Sequence, residues 1–177
     1  MSKWGKVRCL RFFGGIEMKK GKTSKTALAA SQRFTEGYRC SEAILTSYCG
    51  EFGLEKDLAM KIGCAFGGGL GSYGEVCGAI TGSIIILGLK HGRTNKDDAK
   101  TRVKTDKQIQ TFLKRFKSKH KNIRCNDLIG FDRSTPKGHD IAAASGVFKK
   151  LCPGLVKDAA EILEELLEPS RQKKGSR

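Results

Sequence analysis

Apolar residues in this chain recur at the i, i+3, i+4, i+7 spacing of a helix face, on both sides of one glycine-rich break, FGGGLGSYG at residues 66–74. Nowhere do they alternate over any length with the period of two that a half-buried strand requires. Consecutive glycines each cost about 1 kcal/mol inside a helix, so helical order must break at that run. The pattern predicts an all-α fold, a single-domain bundle of about six or seven helices with a glycine-rich loop. With 177 residues, 38% of them apolar, the chain is long enough for one such domain with its own core.

Local signals place the elements. A first helix spans Thr23 to Glu36, with Thr23 or Ser24 as its cap and Gly37 as its stop. A second starts near Cys40 and puts Cys40, Ala43, Ile44 and Ser47 on one face, with Cys49 off that face. A third, Glu55 to Phe66, is expected to bury Leu58, Ala59 and Ile62. The fourth, from about Glu75 to Lys90, is the most apolar. Its glycines Gly78 and Gly82 imply either tight helix packing or a bound group pressed against that surface. A fifth, Asp97 to about Lys117, carries a core stripe of Ile109, Phe112, Leu113 and Phe116. A short helical turn should follow Cys125, then a sixth helix over Ile141 to Lys149, with Thr135 and Pro136 as a cap and first-turn proline. By the same reasoning Cys152, just before Pro153, is expected to cap a last amphipathic helix through Val156, Ala159, Ala160, Leu163 and Leu166.

Charge divides the chain further. Thirty-four Lys and Arg against 18 Asp and Glu give a net +16, concentrated in the N-terminal arm, in Arg93 to Arg124, and in the tail from Arg171. Residues 1–22 are expected to be a basic, disordered arm, with Met18 an alternative start; 23–168 the helical domain; and 169–177 a basic, disordered tail. Such a field draws nucleic acid, anionic lipid or an acidic protein alike. The run Lys114, Arg115, Lys117, Lys119 and Lys121 reads as a solvated helix face, with docking to an acidic redox partner protein favoured over nucleic acid. The N-terminal arm lacks the uninterrupted apolar core of a secretory signal, and the longest apolar stretch, Val76 to Leu89, is shorter than the roughly 20 residues that cross a bilayer. A cytoplasmic protein without a transmembrane segment is expected.

Seven cysteines, odd in number and widely spaced, do not make a secreted disulfide scaffold. Several of Cys40, Cys64, Cys77, Cys125 and Cys152 fall where a helix is about to begin, where the helix dipole stabilises a thiolate. No C-x-x-C occurs, so no standard zinc finger is supported, but thiolates from separate helices can converge on an iron-sulfur cluster or on zinc. Buried cysteines also serve simply as small hydrophobes. His91 and His120 read as surface residues and His139 as a helix-start residue, and no haem-attachment motif is present. GLGSYG fits the dinucleotide fingerprint G-x-G-x-x-G but lacks the preceding strand, which leaves a helix-connecting loop as the better reading.

The segments GYRCSEAIL, FGGGLGSYGEVCGAITGSIIILGL, NDLIGFD after Cys125, STPKGHDIA and LCPGLVKDAAEILEELL occur in an order that resembles the C-GCAxxG-C-C family of redox-active proteins, from about Ala27 to Leu167. The family's CGAxxG element falls on Cys77, Gly78, Ala79, Ile80, Thr81 and Gly82, its other cysteines match Cys40, Cys125 and Cys152, and Cys64 in GCAFGG is an additional thiol. The resemblance implies redox activity without naming a reaction. Similar domains occur in split-Soret cytochromes beside an iron-sulfur centre, which implies a cluster bound by Cys40, Cys77, Cys125 and Cys152, with Gly78 and Gly82 letting the backbone approach it. Electron transfer or redox sensing would follow. A metal-free thiol-disulfide oxidoreductase and a structural zinc or interaction module remain the alternatives, formation of a homodimer stays open, and Cys9 and Cys49 are expected to be bystanders.

Overall fold

The computed structural model describes residues 24–168. The expectations for the arm, Met18, Cys9 and the tail therefore lie outside the described residues. Eight α-helices occur among those described: α1 (Lys25–Thr35), α2 (Cys40–Tyr48), α3 (Lys56–Phe66), α4 (Gly78–His91), α5 (Ala99–His120), α6 (Cys125–Ile129), α7 (Pro136–Ala144) and α8 (Val147–Leu167). A 3-10 turn, Cys49–Phe52, joins α2 to α3. The fold is all-α and single-domain, and its only extended pairing among the described residues is one antiparallel bridge between Val76 and Arg124.

Two long packings organise the core. The side chain of Ser24 accepts the amide of Ala27 and caps α1, whose buried Ala27 and Ala30 let it lie close along α8. Helix α4 crosses both α2 and α8, and at Gly82 an added Cβ would stand 3.0 Å from Ile44 Cβ, so its small face serves close helix approach. Where the elements meet, Tyr48, Ile44, Ile80, Ile86, Leu87, Val156 and Leu163 are fully buried. Glu164 on α8 accepts hydrogen bonds from Tyr48 Oη (2.8 Å) and from Ser24 Oγ, tying α1, α2 and α8 together.

Helix α5 buries Phe112 and Phe116 as its apolar stripe predicts. Its basic run is not simply solvated, however. Arg115 pairs with Glu165 at 2.6 Å, Lys119 with Asp158 at 2.6 Å, and His120 Nε2 lies 3.0 Å from Asp158 Oδ2 with only 18% of its side chain exposed. The amphipathic α8 supplies these acids on the flank of its apolar face, so part of the positive field is neutralised within the fold, and His120 is not a surface residue.

Three further expectations need correction, the first being the single helix over Ile141 to Lys149, which Gly146 divides between α7 and α8. Leu58 is 49% exposed, because α3 packs on α2 through Ala59 and Gly63 instead; at Gly63 a Cβ would come within 2.8 Å of Glu42 Cα. The last helix starts at Val147, not at Cys152. Thr135 caps α7 with Pro136 in its first turn, as expected, and its hydroxyl accepts the Gly138 amide. Gly146 then turns the chain in the left-handed region (φ 72°), and α8 runs straight through Cys152 and Pro153. A proline here removes one hydrogen bond near the start of a long helix, a local cost that the packing of Leu155, Val156, Ala159 and Leu163 outweighs.

Candidate thiol site

The bridge is what assembles the site. Cys77 N donates to Ile123 O (2.9 Å), Cys125 N to Glu75 O (2.6 Å) and Asn126 N to Gly74 O (3.0 Å), and an Arg124–Glu75 ion pair at 2.8 Å closes the edge. Two chain segments far apart in sequence thus run side by side, with Cys77 at the N-cap of α4 and Cys125 as the first residue of α6. Cys40 is the first residue of α2. The connection between α3 and α4 folds back over it, because the Arg39 guanidinium donates to Cys64 O (2.9 Å), Gly67 O (2.9 Å) and Ser72 Oγ (2.6 Å). Gly78 completes the approach: a Cβ there would lie 2.4 Å from Cys40 Sγ, so only glycine lets that sulfur rest against the start of α4.

Cys152 reaches the same place from the interior of α8, where it packs with Phe148 against a small second core of Cys125, Ile129 and Ala142. Cys40, Cys77, Cys125 and Cys152 all line one cavity of about 210 Å³. Phe34, Leu128, Phe148 and Leu155 supply apolar walls, while Arg39, Arg133 and His139 supply the polar ones. No aspartate or glutamate lines it.

The thiols are electrostatically unequal. Cys40 is drawn below the usual thiol range chiefly by its hydrogen bond with Cys77, with help from the Gly68 and Ser41 amides and the Arg133 charge, against the opposing effect of burial. Cys77, the other member of that pair, is pushed well up by the same hydrogen bond and by burial. Burial raises Cys125, opposed by Arg133, and pushes Cys152 up to about 12. The arrangement favours one thiolate beside a protonated partner, with two further thiols held neutral unless a positive centre draws off their protons.

Four cysteine thiols around one cavity are a donor set of the kind that thiophilic metal groups use. Among the described residues no three His, Cys, Asp or Glu side chains come together as one metal ion would require. An iron-sulfur cluster distributes its thiolates around a volume, and four cysteines around a cavity suit such a group.

The other expected residues go elsewhere. Gly82 lies one turn beyond Gly78 and faces Ile44 and the Ser41 carbonyl, not the cavity. Cys64 is exposed on α3, outside the cavity, and Cys49 is buried in the main core with its thiol near Thr46 O. His139 lines the cavity wall from α7, its ring 5.8 Å from that of Phe148. Sequence reasoning missed Arg39 and Arg133. Adjacency to Cys40 could have flagged Arg39, but Arg133, between Asp132 and Ser134, reads as an ordinary polar turn.

An all-helical domain that gathers four thiols from four elements around one cavity belongs to the broad class of thiol-site proteins. The model of the family described as "Putative redox-active protein (C_GCAxxG_C_C)" matches residues 38–166, and the chain belongs to that family. No curated protein and no solved structure matches the chain. No helix among the described residues is long and apolar enough to cross a membrane.

Proposed function

We propose that this is an electron-transfer or redox-sensing protein in which Cys40, Cys77, Cys125 and Cys152 hold an iron-sulfur cluster. The observation that carries the reading is the shared cavity: thiols from α2, the N-cap of α4, α6 and α8 line one space bounded by apolar side chains and cations. A bound cluster supplies one-electron chemistry whose potential depends on hydrogen bonds to sulfur, nearby charge and solvent exposure. The chain contributes the amides at the starts of α2 and α4, the close approach allowed by Gly78, and the exclusion of water by Phe34, Phe148 and Leu155. A reducing compartment such as the cytoplasm suits a site of free thiols, and an acidic redox partner suits the exposed lysines of α5.

Anaerobic purification with iron, acid-labile sulfide and zinc analysis on one sample tests the proposal. Iron and sulfide in matching amounts, lost in Cys77→Ser, support it. Full iron in that variant removes Cys77 from the ligand set, and zinc alone, or no metal after reconstitution, overturns the cluster.

The opposite shifts that the Cys40 and Cys77 thiols impose on each other, Cys40 down and Cys77 up, favour a second reading, a metal-free dithiol. There the Cys40 thiolate attacks an external disulfide, releasing one thiol, and the Cys77 thiolate then attacks the mixed disulfide, releasing the other. The external disulfide is reduced by two electrons as a Cys40–Cys77 disulfide forms. Mass-spectrometric mapping after mild oxidation should find that one pair; random pairing counts against it.

A further inference from the structure

We propose that Arg133 is the counter-cation of the thiol cavity, a positioning residue whose fixed charge holds an anionic sulfur centre among the cysteines. The proposal deepens the four-thiol reading and borrows its choice of ligand chemistry. The charge it assigns to the cavity is a property of the chain alone.

Arg133 reaches the cavity with its guanidinium 4.8 Å from the Phe148 ring centroid, and its Nε is buried without a hydrogen-bond partner. Among the described residues it makes no ion pair, whereas Arg115, Lys119 and Arg124 each find a carboxylate. Its neighbour Asp132 is engaged with Asn126 and Ser134 instead. Withdrawing a cation from water costs several kcal/mol unless an opposite charge compensates it. The cavity lining offers no carboxylate, and its other cationic group, Arg39, has the same sign. The sulfur atoms of the cysteines are the remaining acceptors that line the space with it.

Geometry aims the charge at them. Arg133 Nη1 stands 4.0 Å from Cys125 Sγ, while Nη2 donates to Ser72 Oγ at 3.3 Å. Ser72 also accepts from Arg39, so one hydroxyl anchors both guanidinium groups to the connection over Cys40. The backbone leaves room for the fork: at Gly68, in the left-handed region at φ +69°, a Cβ would come within 2.8 Å of the Arg133 guanidinium carbon. Arg39 differs: carbonyls and a hydroxyl occupy its fork, and its work is to hold the loop.

The test uses the full chain, reduced and metal-free, with two alkylating reagents of similar size, anionic iodoacetate and neutral iodoacetamide. The same thiolate attacks either reagent and displaces iodide, so the ratio of the two rates cancels the protonation of the thiol and reads the local field. Exposed Cys64, outside the cavity, is the internal reference. In Arg133→Gln the iodoacetate preference at Cys40 and Cys125 should fall on the order of fivefold relative to Cys64, and Arg133→Lys should keep most of it. An unchanged ratio in the glutamine variant overturns the proposal. A fall of equal size in both variants also overturns it, because only the shape of the guanidinium would then matter. The iron-reconstituted protein gives a second readout: release of iron to a chelator should quicken about tenfold in Arg133→Gln and little in Arg133→Lys, a difference of about 1.4 kcal/mol. If the native chain takes up no iron, the cluster reading fails, while the alkylation ratio still decides the role of Arg133.

Discussion

The two ends of α8 treat charge in opposite ways. Along its C-terminal half, Lys119 and the His120 imidazole of α5 share Asp158 while Arg115 meets Glu165, so each basic group has an acid within about 3 Å. Near its N-terminal end, Cys152 and Phe148 face a cavity with two arginines and no carboxylate at all. Paired charges at the seam add specificity to a helix contact already driven by buried Phe112 and Phe116. Unpaired charge at the cavity instead leaves an electrostatic demand that thiolates or a bound group must meet. The seam pairs its charges, and the cavity gathers thiols beside cations that have no acid.

Variants at the two ends should therefore fail differently. The largest loss of stability is expected from Phe116→Ala, about 4 kcal/mol in urea denaturation, because a fully buried ring leaves a void between α5 and the core. The protein that remains folded should still carry its full complement of iron if the comparison holds. Gly78→Ala should cost less stability, about 2 kcal/mol, since its new methyl must displace Cys40 Sγ from 2.4 Å. Iron retention should nevertheless collapse in that variant and survive in Gly82→Ala, whose methyl would meet Ile44 instead. Equal iron loss in the two glycine variants would erase the distinction between site and packing.

Asp158→Ala should lower stability by about 2 kcal/mol, because Lys119 loses its hydrogen-bonded acid and His120 the carboxylate beside it, without changing cofactor content. The smallest effect concerns pH. Burial holds the imidazoles of both His91 and His120 below their usual 6.5, with the charge of Asp158 partly opposing this at His120. Their neutral forms are thus favoured in the folded state, and the unfolded chain binds more protons in the window between the depressed values and 6.5. This contribution is complete above pH 6.5 and is lost as the pH falls through that window. Urea midpoints measured at pH 7.5 and 5.5 should show the decline, and His120→Gln should flatten it.

Much of the helical framework was legible from local chemistry. Ser24 caps α1, Thr135 with Pro136 opens α7, and the stripe through Phe112 and Phe116 marks the buried side of α5, because capping and helical periodicity are properties of a few adjacent residues. The same local logic failed at Cys152, where a Cys-Pro pair resembling a helix start lies inside α8. It failed again at Leu58, since which face of α3 is buried depends on a neighbour that no local pattern names. His120 read as a surface residue until α8 supplied Asp158 beside it.

By itself, the sequence determined that this chain is helical, that its order breaks at residues 66–74, and that Cys40, Cys77, Cys125 and Cys152 sit in segments resembling one redox family. Periodicity, glycine content and motif spacing are enough for that, because each acts over a turn or two of chain. Tertiary structure alone decided that these thiols line a common cavity. Two bridge residues, Val76 and Arg124, align the starts of α4 and α6, the loop over α2 is pinned by Arg39, and an unremarkable polar turn delivers Arg133. Those contacts join residues distant in the chain, and their free energy exists only once the intervening helices have packed.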